Sequence, residues 1–178
     1  MKAIGLRIAL GNESDLITPT STQNYPLGGI VDVEDSSKKS IKKYMYVQSH
    51  GILAANGIYI LNLTGTAGSE VKTALSTDTS ADKGTSYYNL PCIAEVAFAS
   101  GYYGFVCVQG TTTVSTAGSV TDQHACKLGD AAATVATEGA VTVTAYTVGI
   151  NRATRSGAGT TAFELIGQNK WALQYTAP

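Results

Sequence analysis

Short stretches of alternating residues, interrupted by glycine, fill the last third of the chain over residues 124–167. Side chains of a β-strand point alternately to opposite faces, so Tyr146, Val148 and Ile150 would share one face while Thr147 lies on the other. This pattern predicts a chain built from β-strands. No cluster of acid, base or metal-binding residues accompanies it in the sequence, so the pattern favours a structural or binding domain over an enzyme.

The composition indicates a body that assembles with other proteins. Only 14% of the 178 residues are charged, against about a quarter in typical soluble domains. The surface is therefore expected to carry short, weakly charged side chains, which lose little conformational entropy when a partner covers them. The formal net charge of -1 gives no electrostatic reason to expect nucleic acid or an acidic membrane as a partner.

The pattern along the chain divides it into an arm and a body. Residues 1–25 are predicted to form a strand followed by an extended arm, and residues 26–178 a β-rich domain. Within that domain we expect two small lobes, near 26–63 and 92–178, with a variable insertion at 64–90 between them. A chain of this length can bury a core of its own.

Turn residues separate the predicted strands. The pair Asn56 and Gly57 predicts a tight turn because both residues tolerate a positive φ, Gly129 suits a two-residue hairpin, and a bulge near Ala145 would account for a change of apolar face. Strands are expected near residues 27–33, 41–48, 58–63, 92–98, 102–109, 123–128, 133–136, 140–150, 161–166 and 171–175. The fold class is therefore all-β, a compact β-barrel or β-sandwich of short antiparallel strands with little helix.

The insertion has a different composition from the strands around it. Ser69 can cap a short helix that carries Val71 and Leu75 four residues apart. One such pair is little support for a helix, and a mobile insertion is the favoured prediction.

The N-terminal sequence and the cysteines predict the compartment in which the protein is made. Arg7 interrupts the first apolar run, so no secretory signal is predicted, and no stretch approaches the roughly 18 to 20 apolar residues of a membrane-spanning helix. The three cysteines leave one thiol unpaired in any disulfide scheme, and Cys107 lies in an apolar run. A soluble protein made in a cytosol, with reduced and packed cysteines, is the expectation.

Three patterns suggest chemistry and are weighed against ordinary packing. Asp122, His124 and Cys126 alternate, so on a strand they would face the same way, but no second cluster completes a metal site. His124 and Cys126 lie too close along one strand to converge as base and nucleophile, and His50 has no GxSxG serine to activate. We therefore predict no metal, no cofactor and no catalytic residue.

The basic residues of the sequence concentrate in one place. The cluster consists of Lys38, Lys39, Lys42 and Lys43. Lysines on a hairpin protect an exposed sheet edge from unwanted pairing, which is the favoured interpretation. Together with Tyr44 and Tyr46 they also fit single-stranded nucleic acid, but Asp32, Glu34 and Asp35 offset their charge.

The order of several motifs resembles the capsid decoration, or cement, proteins of tailed bacteriophages. YYGFVCVQG at 102–110 is followed by a KLGD turn, by AYTVGINRAT and, after a glycine-rich gap, by TTAFELIG. The block LGGIVDVEDSSKKSIKKYMYVQSHGILAANGIYIL is similar to the opening of such proteins. The resemblance covers about 26–63 and 101–167. Departures are Phe105 in place of the usual tryptophan, Cys107 in place of a polar residue, and the insertion.

The resemblance implies a non-enzymatic virion protein. Such a protein joins the outside of a phage capsid, often as a homotrimer, and bridges major capsid subunits against the pressure of packaged DNA. The implied partners are the major capsid protein and further copies of the chain, with neither nucleic acid nor membrane. The implied location is the capsid exterior, after assembly in the host cytoplasm.

Specific residues are predicted for contact and for packing. The arm is expected to contact the shell through Ile4, Leu6, Ile8 and Leu10, and a free arm of this kind can add a strand to a neighbour's sheet. The predicted core residues are Tyr102, Phe105, Tyr146, Val148, Ile150, Phe163, Leu165 and Trp171.

Two alternatives concern recognition of a host cell. A tail, fibre or spike module would bind a cell surface or a glycan, with Tyr87 and Tyr88 stacking on sugars. An adhesin-like cellular domain would require export, for which the N-terminus gives no signal.

Overall fold

The computed structural model of the chain describes residues 7–35, 40–62, 70–73, 90–128, 134–137 and 148–166. In these residues the regular structure is almost entirely β-strand, which confirms the all-β prediction. The exception is a single turn of 3-10 helix at Glu13–Leu16. The strands are β1 (Ile30–Asp35), β2 (Ser40–Ser49), β3 (Gly57–Asn62), β4 (Glu70–Thr73), β5 (Leu90–Ala94), β6 (Tyr103–Thr116), β7 (Ala125–Leu128), β8 (Val135–Thr137), β9 (Gly149–Asn151) and β10 (Gly159–Leu165). No helix among the described residues has the length and apolar character needed to cross a membrane.

The strand pairings form two closed rings that share β6. The sheet order is β1-β2-β4-β3-β5-β6-β10-β9-β7-β8, and the additional pairings β2–β6 and β6–β8 close it on both sides of β6. Most neighbours are antiparallel, as predicted, whereas β2–β4 and β6–β8 are parallel. β1 lies outside the first ring, paired with β2 alone among the named strands.

Gly110 marks the point at which β6 passes from one ring to the other. The residues before it pair with β2, and those from Gly110 to Thr116 pair with β10. Its φ is +110°, and a Cβ at this position would lie 3.1 Å from both the Ile41 carbonyl oxygen and Lys42 Cα. Glycine is therefore required here by backbone conformation and by close approach together.

Alternation along the strands produces two apolar clusters. The cluster inside the first ring takes every second residue of four strands: Met45, Val47, Tyr59, Leu61, Cys92, Ala94, Val106 and Val108. A larger cluster extends from the opposite face of these strands into the second ring, and its members include Tyr46, Phe105, Val114, Phe163 and Leu165. Both faces of the central strands are buried, so the alternation in the sequence separates two cores rather than core from solvent.

Several predicted core residues can be compared with the structure. Phe105, Val148, Phe163 and Leu165 are buried, as expected. The prediction for Tyr102 is wrong, because this residue precedes β6 and is 36% exposed. Ile150 is only partly buried. Tyr146, Trp171, the Gly129 turn and the bulge near Ala145 lie outside the described residues.

The local predictions at Asn56 and in the insertion have different outcomes. Asn56 adopts φ +60°, which confirms the predicted turn. The alternative of a helix around Val71 is wrong, since residues 70–73 form β4, with β3 on one side and β2 on the other. Pairing with two neighbouring strands decides the conformation of so short a segment, and its sequence carries no sign of these partners.

Candidate functional site

The described part of the predicted arm, from Arg7 onward, packs against the first ring. Ile8 donates a main-chain hydrogen bond to the Ile30 carbonyl over 2.9 Å, and Thr20 and Tyr103 exchange two such bonds of 2.8 Å each. Gly29 permits the close approach, because a Cβ there would lie 2.9 Å from Ile8 Cδ1. The arm is thus held at the edge of β1 and again at β6.

Tyr25, at the end of the predicted arm, links the arm to the apolar core. Its hydroxyl donates a hydrogen bond to Asp15 and accepts one of 2.9 Å from the Gly11 amide. Its ring lies 5.3 Å from that of Tyr46 and 5.4 Å from that of Phe105, in edge and tilted geometries that aromatic pairs favour. The hydrogen bond to Asp15 raises the pKa of Tyr25 above its ordinary value.

A groove of about 880 Å³ separates the arm from the edge of β1. One wall consists of residues 8–10 and of the 3-10 helix with Ile17, and the other of residues 31–34 of β1 with Tyr44 of β2. Ile17 is 62% exposed, so an apolar side chain of the groove remains open to a partner. The groove therefore combines an apolar lining with access from solvent.

The groove is acidic. Glu13, Asp32 and Glu34 contribute to its lining. Arg7 forms an ion pair with Asp32 over 2.5 Å, but the arginine side chain is 77% exposed and the aspartate 24%. The second oxygen of that carboxylate, Oδ1, is buried and accepts no hydrogen bond from the residues that the structure describes. Excess negative charge and an unused acceptor favour a partner that brings positively charged donors.

Beside the groove, the described residues leave the edge of β1 open. Since Gly29 accepts a hydrogen bond from the Tyr46 amide, the register directs the main-chain groups of Val31 and Val33 toward β2 and those of Asp32 and Glu34 away from it. Within the described part of the chain, no main-chain hydrogen bond reaches Asp32 or Glu34 from the groove side. An unpaired edge of this kind is a template for an added strand.

A largely buried carboxylate is hydrogen-bonded to Tyr44, one of the residues that line the groove. Glu95 follows β5 and accepts hydrogen bonds from Lys42 Nζ at 2.9 Å, from Tyr44 Oη at 2.6 Å and from the Thr112 hydroxyl. Burial raises the pKa of Glu95, but these three donors outweigh it and the net pKa lies below the ordinary value. A carboxylate within the apolar run PCIAEVAFA was the signal for such a cluster, because a buried charge needs partners.

The same cluster changes the role of the lysines. Lys42 is on β2, which pairs with other strands on both sides, and its ammonium is largely covered by the ion pair with Glu95. The prediction that it protects a sheet edge is therefore wrong. Lys38 and Lys39 lie outside the described residues. Tyr44 is buried, so its ring is unavailable for stacking on a nucleic acid. Burial and the hydrogen bond to Glu95 also raise the pKa of Tyr44.

The same-face alternation of Asp122, His124 and Cys126 that the sequence suggested does not form. Residues 122 and 123 lie in a turn, with Gln123 at φ +60°, so Asp122, His124 and Cys126 do not alternate along one strand. Within the described part of the chain, no group of three or more His, Cys, Asp or Glu side chains is placed to hold a metal ion.

The three cysteines are buried and form no disulfide, in agreement with the prediction. Burial raises the pKa of Cys107 to about 12.

The predicted contact residues are only partly within the structure. Ile8 and Leu10 line the groove and are partly buried against the larger apolar cluster. Ile4 and Leu6, together with Tyr87 and Tyr88, lie outside the described residues. The structure thus brings two of the four proposed anchors to the groove.

Comparisons with known proteins find similarity at the level of structure and not of sequence. No protein-family model matches the sequence, and a comparison with curated proteins finds no match. Among solved structures, the chain is similar to the N base of the head fiber protein gp8.5 of bacteriophage phi29. The two chains are 10% identical, with a TM-score of 0.49, over 69% of this chain and 92% of the other.

Proposed function

We propose that this chain is a non-enzymatic structural protein of a phage virion, which binds the outer surface of the capsid and bridges major capsid subunits. The observation that carries the proposal is the open edge of β1 beside an apolar, acidic groove, because such an edge is a typical site for binding another polypeptide. The resemblance of residues 26–63 and 101–167 to capsid decoration proteins supports the same role.

The buried polar groups support a structural role over a catalytic one. Glu95 accepts hydrogen bonds from Lys42, Tyr44 and Thr112, and these contacts hold together β2, β6 and the end of β5. A general base must instead reach a proton on a substrate. Cys107 is buried and its raised pKa disfavours the nucleophilic thiolate.

The arm provides the proposed contact with the shell. Ile8 and Leu10 are half-covered by the chain's own core and face the groove with their remaining surface, where a partner that fills the groove would touch them. Ile4 and Leu6 continue the same alternation toward the N-terminus and complete the proposed set of anchors.

Assembly as a trimer would multiply individually weak contacts. Each subunit of a closed oligomer presents the same surface, so one binding event holds the others near their sites. A protein that binds the assembled shell stabilises it by mass action. The proposed location is the capsid exterior, reached after synthesis in the host cytoplasm.

Cosedimentation of the purified protein with undecorated phage heads tests the proposal, with light scattering to weigh the free protein. Saturable binding to heads and a trimeric mass are expected. Binding to host cells or glycans with none to heads would instead support the tail, fibre or spike alternative.

A matched pair of substitutions locates the contact surface. Ile17→Asp alters the groove, whereas Ile52→Asp alters an even more exposed isoleucine, 79% accessible, in the loop between β2 and β3. Loss of head binding is expected for Ile17→Asp alone. Equal loss in both variants, or in neither, would reject the groove as the contact surface.

A further inference from the structure

We propose that the groove accepts an extended segment of the capsid partner, which adds a strand to the open edge of β1 and carries lysine or arginine alternating with apolar residues. The inference rests on the proposed function and names the chemistry that the partner must present. Three independent features of the groove define that chemistry: its main-chain groups, its lining and its charge.

The main-chain groups require an extended occupant. The amides and carbonyls of Asp32 and Glu34 point into the groove, and among the described residues the strand-like contact at this edge is made by Ile8 through its bond to Ile30. Beyond Ile8 the arm leaves the edge and forms the opposite wall. A segment lying between arm and edge would satisfy both residues by pairing with β1.

The lining and the charge of the groove define the side chains that the added strand must carry. Val31 and Val33 belong to the face of β1 that packs on the larger apolar cluster, so alternate residues of an added strand on that face should be apolar. On the other face of β1, Asp32 keeps a buried oxygen to which no described residue donates a hydrogen bond, and Glu34 follows it two residues later. Lysine or arginine on the corresponding face would pair with these carboxylates.

A proline substitution separates main-chain pairing from side-chain charge. Glu34→Pro removes an amide that points into the groove while leaving the hydrogen bonds between β1 and β2 intact, since proline is tolerated on edge strands. Glu34→Thr is the matched control, because it removes the same charge but keeps the amide. Thermal unfolding of both variants verifies that the fold is retained.

Two probes are used with these variants, undecorated heads and a capped seven-residue peptide of alternating valine and lysine. Against both, Glu34→Pro is expected to bind about 3- to 10-fold more weakly than Glu34→Thr, which corresponds to one lost hydrogen bond. A peptide of alternating valine and glutamate should bind far more weakly than the lysine peptide. Raised salt should reduce this preference.

The outcomes distinguish this inference from the proposed function. Heads that bind Glu34→Pro as tightly as Glu34→Thr would overturn strand addition while leaving the capsid role intact. Failure of every variant to bind heads, with the lysine peptide still selected, would reject the capsid role and retain the groove chemistry. Equal binding of the two peptides would overturn the charge assignment.

Discussion

The Lys42 ammonium and the Glu95 carboxylate lie 2.9 Å apart and are largely buried, with side-chain exposures of 16% and 23%. They join a residue near the start of β2 to the residue that follows β5, 53 positions later. Tyr44 and Thr112 complete the coordination of the carboxylate. This cluster therefore joins β2 and the end of β5 to the part of β6 that lies just beyond Gly110, in the second ring.

Replacement of Glu95 by glutamine should destabilise the protein and flatten its acid denaturation. Without the carboxylate, Lys42 stays buried without a countercharge, and a loss of about 2 to 3 kcal/mol at neutral pH is expected, somewhat below the range for fully buried pairs. Because the folded pKa of Glu95 lies below its unfolded value, its contribution is present above the unfolded pKa and is lost as pH falls through the folded pKa.

Urea unfolding from pH 7 down to pH 3 measures this effect. Asp122→Asn, at an exposed carboxylate in a turn, is the control and should change little. A variant at Glu95 that kept the full stability and the same pH dependence would contradict the role of the cluster.

Replacement of Tyr44 by phenylalanine should make the protein less sensitive to alkali. Burial and the hydrogen bond to Glu95 raise the folded pKa of Tyr44 above its unfolded value of 10.0. Its contribution is therefore complete below about pH 10 and is lost at higher pH, where the unfolded state ionises first. Stability should fall less steeply between pH 9.5 and 11 in the variant, as measured by urea unfolding, and Tyr102→Phe at an exposed tyrosine should follow the wild type.

Introduction of alanine at Gly110 should disturb the junction of the two rings. A positive φ and a Cβ contact of 3.1 Å to the main chain of β2 both oppose it, and a loss of about 1 to 3 kcal/mol is expected. Gly118→Ala is the control, since a Cβ there meets nothing within 4 Å. Chemical denaturation compares the unfolding midpoints of the two variants, and equal midpoints would disprove the requirement for glycine.

Removal of the Tyr25 hydroxyl should loosen the arm while leaving the body intact. Tyr25→Phe keeps the ring contacts with Tyr46 and Phe105 but loses the hydrogen bonds to Asp15 and Gly11. Amide exchange at Gly11 should accelerate several-fold, with global stability reduced by less than about 1 kcal/mol because the site is near the surface. Unchanged exchange at Gly11 would show that the arm is held by its packing alone.

Local pattern predicted much of the fold because strands and tight turns depend on neighbouring residues. The alternation around Tyr44 and Tyr46 and the positive φ of Asn56 follow from side-chain direction and from the low cost of left-handed backbone for asparagine. Alternation does not indicate which face of a strand, if either, is exposed to solvent. It therefore failed at Tyr102, next to a strand end, and did not anticipate that both faces of the central strands are buried.

The candidate site was only partly predictable. Ile8 and Leu10 were identified as an apolar contact pattern, and the structure places them on a groove. The open edge of β1 and the coordination of Glu95 were missed, because each depends on residues that lie far apart in the sequence. A carboxylate in an apolar run indicates that the side chain needs hydrogen-bond or ion-pair partners, but the run does not show which residues supply them.

The sequence by itself determined an all-β body, the turn at Asn56, the buried thiols and a low content of charged residues, since these properties arise from each residue and its near neighbours. Only the tertiary structure decided that β6 serves two rings, that Lys42 neutralises Glu95 and that β1 keeps an open edge. Strand order and ion pairing are chosen by competition among distant segments for the same hydrogen bonds and the same buried volume. That competition is settled only when the whole chain has folded.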